Sequence, residues 1–126
     1  IAHSIATVNQ LAPGRVILGL GTGHTAWRAM GMPPVRLDTF RATIEVCRKL
    51  LRGEAVEYHE RGRQSQIRFL DREHGYVNLD DPVPIYLAAS YPKALALAGE
   101  LGDGLIGIDV DAPENQTQEE RTDTVK

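Results

Sequence analysis

The sequence predicts an α/β protein with a parallel sheet, because short apolar strands alternate with amphipathic helices along most of the chain. Three apolar runs carry this prediction, at residues 15–20, 85–89 and 105–110. The last two runs are separated by one helix with short links, which is the pattern of a parallel strand–helix–strand unit. The chain has 126 residues, whereas a complete eight-unit barrel typically needs about 250 residues.

The first predicted elements are a helix and a buried strand. Residues 1–12 carry apolar side chains at helical spacing and stop at Pro13 and Gly14, so we expect the tail of an amphipathic helix. The apolar run at residues 15–20 contains β-branched side chains, as a strand buried on both faces does.

Two helices are predicted next. The first begins near Thr25 and is broken by the glycine and prolines of residues 31–34. The second runs over residues 35–52, with an apolar stripe that includes Cys47, and ends at Gly53, where a left-handed residue costs glycine least.

A looser pattern follows, and it predicts a surface hairpin inserted between strand–helix units. Its strands are expected at residues 56–59 and 67–70, around a polar loop that contains Gly62.

The second half of the chain shows the clearest rhythm of strand, helix and strand. The strand at residues 85–89 leads into a helix that begins at Ser90 to Lys93 and runs to Leu101, and the strand at 105–110 follows. We expect residues 1–111 to form the folded region. Residues 112–126 are almost free of apolar side chains and are predicted to be disordered.

Composition excludes several function classes. With 14 Lys and Arg against 17 Asp and Glu, the chain lacks the positive field of a nucleic-acid binder. No apolar run approaches the roughly 20 residues that span a bilayer, so no membrane association is expected. The single Cys47 cannot form an internal disulfide and is predicted to be buried in its helix. Residues 1–10 lack a signal-peptide pattern, and we expect a cytoplasmic protein.

A glycine-rich segment follows the first strand. We call Gly21, Thr22 and Gly23 the glycine loop. Glycines at a strand end let the backbone approach a ligand closely, although a tight turn with positive φ angles is the alternative explanation. The spacing of Gly21, Gly23 and Ala26 also satisfies a dinucleotide-binding fingerprint. That match is weak, because residues 31–34 interrupt the crossover helix and another helix follows.

The end of the second strand is the other candidate binding segment. Ser90, Tyr91, Pro92 and Lys93 lie where a helix begins, and helix N termini attract anions through free N–H groups and the helix dipole. Lys93 would add a positive charge, but an ordinary helix start explains the segment equally well. If the strands are parallel, this segment and the glycine loop open on the same carboxyl edge, where parallel α/β proteins bind ligands.

His24 is the strongest candidate for proton transfer, because an imidazole titrates near neutrality and His24 directly follows the glycine loop. Trp27 has two possible roles, to lie against a planar ring or to pack beneath the loop. The remaining histidines show no metal-ligand spacing, and we predict no metal site.

Three segments carry a resemblance to a known family. They are residues 11–23, which end in Gly-Leu-Gly-Thr-Gly, residues 40–54, which end in Leu-Leu-Arg-Gly-Glu, and residues 82–106, which contain Ala-Ala-Ser-Tyr-Pro-Lys. They resemble the luciferase-like monooxygenase superfamily, especially its deazaflavin-dependent reductases similar to methylenetetrahydromethanopterin reductase. The resemblance covers roughly residues 1–110. It implies a partial (β/α)8 TIM barrel of the bacterial luciferase-like type.

The resemblance also implies chemistry. It implies FMN or the deazaflavin coenzyme F-420 as cofactor, a cofactor phosphate held at Ser90, Tyr91 and Pro92, and hydride transfer as the reaction. His24 would occupy a proton-donor or substrate-binding position. The sequence departs from the family at Tyr91, where a glycine is usual, and after Asp111, where the family pattern is lost. The early strands of the family barrel lie outside this sequence.

Three hypotheses follow. The first is a flavin- or deazaflavin-dependent oxidoreductase that acts on a small organic substrate, with the glycine loop and residues 90–93 around the cofactor. The second is a non-catalytic partial barrel that acts through oligomerisation, either with a second copy or with the missing part of the barrel, because an open half-barrel leaves sheet edges and an apolar face uncovered. A small dinucleotide-binding module is the third and weakest alternative.

Overall fold

The computed structural model describes residues 1–60, 62–70 and 72–107, with only the backbone described for His24 and Glu60. Its helices and strands follow the chain as α1 (Ala2–Leu11), β1 (Leu18–Gly21), α2 (His24–Ala29), α3 (Leu37–Leu51), β2 (Val56–Glu60), β3 (Arg63–Ile67), β4 (Ile85–Ala88), α4 (Pro92–Leu101) and β5 (Gly104–Ile106). The predicted tail at residues 112–126 and the last part of the predicted strand at 105–110 lie outside the described residues.

Three strands form the parallel sheet that the sequence predicts. Their order is β1, β4, β5, so β4 lies between two strands that are distant in the chain. Leu18 of β1 pairs with Ile85 of β4, and Tyr86 of β4 pairs with Gly104 of β5, both in parallel register. All three strands therefore end at one carboxyl edge.

Helices α1, α3 and α4 supply the apolar side chains that bury one face of this sheet. Leu18, Ile85 and Leu87 are buried on that face, and they share one core with side chains of the helices. The helix residues in this core include Ala6, Phe40, Ile44, Cys47, Leu51, Leu97 and Ala98. The apolar stripe of α3 and the burial of Cys47 confirm the sequence predictions.

The opposite face of the sheet is open, and we call it the inner face. Small residues dominate this face, because Gly19, Gly21 and Ala88 alternate with the buried positions and are exposed. Its larger side chains are those of Tyr86, which is half-buried, and Ile106, which is 45% exposed. A single layer of helices on a parallel sheet with an uncovered inner face is the arrangement of part of a (β/α)8 barrel.

The hairpin lies where it was predicted, but its second strand does not. Strands β2 and β3 pair antiparallel from Val56 opposite Ile67 to Glu60 opposite Arg63. The prediction of a strand at residues 67–70 is therefore wrong, since β3 ends where that segment begins. The polar residues 63–66 were assigned to a loop, and antiparallel pairing with β2 makes them a strand although their side chains are exposed.

Side-chain hydrogen bonds stabilise the loops at the amino ends of the strands. Asn9 is fully buried, and its Nδ2 donates to the carbonyl oxygens of Asn78 at 3.2 Å and Asp81 at 2.9 Å. The Asp103 carboxylate accepts hydrogen bonds from the backbone N–H of Ile85 at 2.8 Å and from Arg48 at 3.0 Å. These bonds tie α1 and α3 to the loops that lead into the sheet.

Candidate functional site

A cleft of about 480 Å³ lies at the carboxyl edge of the sheet. Its position follows from strand pairing, because Gly21 at the end of β1 lies beside Ala88 at the end of β4. The segments that follow these two strands therefore face each other, as the sequence predicted. The cleft is lined by Gly21, Thr22, Gly23, Thr25, Ala26, Ala88, Ala89, Ser90, Tyr91, Ala94 and Ile106.

The two glycines of the loop are required for different reasons. Gly23 has φ +72° and caps the start of α2, so the backbone needs a residue that tolerates the left-handed region. Gly21 has no positive φ, but a Cβ added there would lie 3.2 Å from the Cβ of Ala88. The tight-turn explanation therefore accounts for Gly23, whereas Gly21 keeps the floor of the cleft open between β1 and β4.

The predicted anion-binding segment lies on the other side of the cleft. Tyr91 is the extended residue that precedes α4, and Pro92 is the first helical residue. Ser90 and Tyr91 line the cleft, whereas Pro92 and Lys93 lie in the first turn of α4 beside the lining. Lys93 is exposed. The first turn of a helix has N–H groups without intrahelical acceptors, so this edge of the cleft can bind an anion.

The cleft is electrostatically simple within the described residues. Its lining side chains come from glycine, alanine, threonine, serine, tyrosine and isoleucine, and none of them carries a charge. The positive end of α4 and the nearby Lys93 contribute positive potential on one side of this neutral lining. A site with small neutral walls and one positive end suits a ligand with a planar or apolar body and an anionic tail.

His24 and Trp27 lie in α2, the short helix that follows the glycine loop. His24 is the first residue of α2 and directly follows Gly23. Its side chain is outside the structural description, so proton transfer by His24 stays a prediction. Trp27 packs against the backbone of Gly23, as shown by the 2.3 Å that would separate a Cβ on Gly23 from Trp27 Cδ1. The tryptophan therefore lies beneath the loop.

Some lining residues were missed by sequence reasoning. Thr25 and Ala26 line the cleft from the first turn of α2, and their nearness to His24 in the chain was the available signal. Ile106 reaches the cleft from β5 because it pairs with Ala88. No local pattern marks Ile106, since only the order of the strands brings it there.

The structure disfavours the dinucleotide-binding alternative. Helix α2 is only six residues long, and the next element is α3 rather than a strand. A dinucleotide-binding unit needs an uninterrupted crossover helix that leads to the next strand of the sheet.

Metal sites and membrane spans were searched over the described part of the chain. There, no group of three or more His, Cys, Asp or Glu side chains is arranged to hold a metal ion. None of its helices is both long and apolar enough to cross a bilayer.

Comparisons with known proteins place these features in a family context. The luciferase-like monooxygenase family matches residues 1–124, which confirms the resemblance carried by the sequence segments. An F420-dependent glucose-6-phosphate dehydrogenase from Beutenbergia cavernae is 39% identical over 114 residues, covering 84% of this chain and 32% of the relative. A 5,10-methylenetetrahydromethanopterin reductase from Archaeoglobus fulgidus is 34% identical over 107 residues, covering 83% of this chain and 30% of the relative.

A solved structure shows the same fold. It is that of an F420-dependent secondary alcohol dehydrogenase in complex with an F420-acetone adduct, with a TM-score of 0.65 and 31% sequence identity. The match covers 84% of this chain and 32% of that chain. This chain thus spans about a third of the length of the relatives it matches.

Proposed function

The chain belongs to the luciferase-like monooxygenase family, and from that premise we propose that it forms part of a flavin- or deazaflavin-dependent oxidoreductase. The reaction would transfer hydride between the cofactor and a small organic substrate. The observation that carries this proposal is the shared cleft, in which the glycine loop and the start of α4 lie opposite each other at the carboxyl edge.

The residues of the cleft fit such a cofactor. Gly21 and Ala88 leave room for a ring system at the strand ends, since any Cβ at Gly21 would contact Ala88. Ser90, Tyr91 and Pro92 stand at the positive end of α4, where backbone N–H groups and Lys93 would hold a phosphate. When bound, the cofactor supplies the hydride chemistry, and this chain binds and orients it.

The deazaflavin coenzyme F-420 is favoured over FMN. Two of the similar proteins, the glucose-6-phosphate dehydrogenase and the secondary alcohol dehydrogenase, are F420-dependent by name. Tyr91 stands where the family usually has glycine, and we propose that its hydroxyl contributes to phosphate binding.

His24 is proposed as the proton-donating or substrate-binding group. It opens α2 directly after the glycine loop, so its backbone is held at the mouth of the cleft. A neutral imidazole accepts a proton and an imidazolium donates one, so the side chain of His24 suits a proton-transfer role. In the assembled enzyme, replacement of His24 by asparagine should remove the limb of the pH–rate profile that this group controls.

The open inner face supports association with further barrel strands. Strands β1 and β5 each pair only with β4 among the described strands, and Ile106 on the inner face is 45% exposed. Leu105, on the opposite face of β5, is 53% exposed. Unpaired sheet edges and uncovered apolar side chains favour self-association or pairing with the rest of a barrel. We propose an oligomer for the isolated chain, and a monomer by light scattering at micromolar concentration would refute this. A purely structural role through such association is the second candidate function.

Fluorescence titration of the purified chain with coenzyme F-420 and with FMN tests the proposed function. We expect saturable micromolar binding that is weakened roughly tenfold in Ser90→Ala and in Lys93→Ala, because each removes a contact to an anion. Lys49→Ala is the matched control, since Lys49 is an exposed lysine in the last turn of α3. Absence of binding to either cofactor would favour the structural role, and binding of NADPH alone would restore the dinucleotide alternative.

Cytoplasmic location stays a prediction from the single unpaired Cys47, whose thiol pKa is raised by burial. Cell fractionation of the source organism tests it.

A further inference from the structure

We propose that Trp27 is a positioning residue, which holds the glycine loop in its binding conformation from behind the cleft. The indole covers the backbone of Gly23, because a Cβ added to Gly23 would lie 2.3 Å from Trp27 Cδ1 and 2.6 Å from Nε1. Only a residue without a side chain permits this contact. The inference rests on the proposed function of the cleft as a cofactor site.

The glycine loop needs such support because the core does not reach it. No residue from 21 to 34 belongs to the core cluster of described residues, and α2 has only six residues. A helix this short is not stable by itself in water. Leu20 and Val35 pack against the core on either side of this segment, so contacts within residues 22–34 hold the part between them.

Those contacts converge on Trp27. Its backbone N–H donates to the carbonyl oxygen of Gly23 at 2.8 Å, and its own carbonyl oxygen accepts from the N–H of Met32 at 2.8 Å. The N–H of Val35 closes the segment by donating to the carbonyl oxygen of Thr22 at 3.0 Å. The indole, 37% exposed, adds the apolar contact that keeps α2 against the loop.

The effect of Trp27 on a ligand is indirect. Thr25 and Ala26 line the cleft, but Trp27 does not, so its ring supports the loop rather than touching the cofactor. A loop that is already ordered loses less conformational entropy when it binds, and binding is tighter by that difference. The ring therefore affects affinity without contacting the ligand.

Hydrogen exchange tests the loop-holding role without any cofactor. In Trp27→Ala we expect the Val35 amide to exchange roughly tenfold faster, because one aromatic contact is lost, while amides in α3 and α4 keep their rates. Trp27→Phe should restore most of the protection, since a planar ring remains. Met30→Ala is the matched control, because Met30 lies in the same segment and is 61% exposed. Unchanged protection of Val35 in Trp27→Ala would overturn the inference.

A double-mutant cycle tests the contact itself. Gly23→Ala should disturb the loop twice, through the positive φ and through collision with the indole. In the Trp27→Ala background only the φ penalty remains, so Gly23→Ala should accelerate Val35 exchange by a smaller factor. If Gly23→Ala accelerates Val35 exchange by the same factor in both backgrounds, the indole does not contact Gly23.

Titration with coenzyme F-420 and FMN then separates this inference from the proposed function. We expect Trp27→Ala to weaken binding roughly tenfold and Trp27→Phe to retain it, with Met30→Ala unchanged. If wild type binds and Trp27→Ala binds equally well, the positioning role is wrong and the cofactor site stands. If wild type binds neither cofactor, the proposed function fails for this chain, and hydrogen exchange still decides whether Trp27 holds the loop.

Discussion

The two edges of the parallel sheet are built in opposite ways. At the amino edge, side chains such as Asn9, Arg48 and Asp103 hydrogen-bond to the backbone of neighbouring segments. At the carboxyl edge, small neutral side chains surround an open cleft, and backbone hydrogen bonds with the Trp27 ring hold the glycine loop. The amino edge thus fixes the positions of the strands, and the carboxyl edge leaves backbone and space available for a ligand.

This difference agrees with the division of labour in parallel barrels, in which the carboxyl face carries the site and the amino face carries stability. The two edges should therefore respond differently to substitution. Substitutions at the amino edge should lower the free energy of unfolding and leave ligand affinity per folded molecule unchanged, and substitutions at the carboxyl edge should do the reverse.

The largest stability loss is expected for Asn9→Ala. Its side chain is fully buried and bonds to the carbonyl oxygens of Asn78 and Asp81 and to the N–H of Gly14. Removal leaves these backbone groups without that partner, so the free energy of unfolding should fall by about 2–3 kcal/mol. Urea denaturation measures this loss in the free energy of unfolding. Gln10→Ala changes an exposed neighbour on α1 and should cost less than about 0.5 kcal/mol; equal losses for the two variants would contradict the role of Asn9.

Asp103→Asn should have a smaller effect, because the Asp103 side chain is 41% exposed. We expect a loss of about 1 kcal/mol at neutral pH from the weakened contacts to Ile85 and Arg48. Asp80→Asn removes an exposed carboxylate in the loop before β4 and is the control.

The effect of Asp103→Asn should depend on pH in a defined direction. Burial opposes ionisation of Asp103, but hydrogen bonds from Ile85 and Arg48 outweigh it and hold the pKa of the carboxyl below its ordinary value. A lowered pKa in the folded state contributes stability above the unfolded-state pKa and loses it as the pH falls through the folded-state value. The difference between wild type and Asp103→Asn should thus be full at pH 7 and shrink below a pH of about 4. A constant difference down to pH 2 would be inconsistent with this contact.

Thr22→Ala should have the smallest effect on stability. It therefore gives the clearest test of the difference between the amino and carboxyl edges of the sheet. Thr22 lines the cleft, and its backbone bond to Val35 does not need the side chain. We expect a change in unfolding free energy below about 0.5 kcal/mol and a roughly threefold or larger loss of affinity for coenzyme F-420. Thr7→Ala, on α1, is the control for both measurements. If Thr22→Ala lowers the free energy of unfolding as much as Asp103→Asn does, the proposed difference between the two edges is wrong.

Sequence periodicity was sufficient for the elements that bury an apolar face. The stripe on α3 and the runs at β1 and β4 were predicted close to their observed positions, because local side-chain spacing reports directly on burial. Strand β3 was missed because its residues are polar and exposed, and pairing with β2 creates the strand without an apolar pattern.

Only part of the candidate site could be predicted, because local residue types are visible in the sequence and long-range strand pairing is not. The positive φ of Gly23 requires glycine, and Pro92 marks the start of α4 directly after residues 90–91, so both segments were visible in the sequence. Ile106 was not visible, because its place in the cleft depends on the pairing of β5 with β4. The contact of Trp27 with Gly23 was one of two alternatives until the φ of Gly23 and the direction of α2 were known.

The sequence by itself determined the alternation of strands and helices, the family and the two segments that border the cleft. These properties depend on residue type and local spacing. Only the tertiary structure decided that β4 lies between β1 and β5, that Asn9 and Asp103 fasten the amino edge, and that Trp27 supports the glycine loop. Contacts between residues far apart in the chain, or across a turn with a special φ, depend on how the elements pack, and local spacing carries no record of that packing.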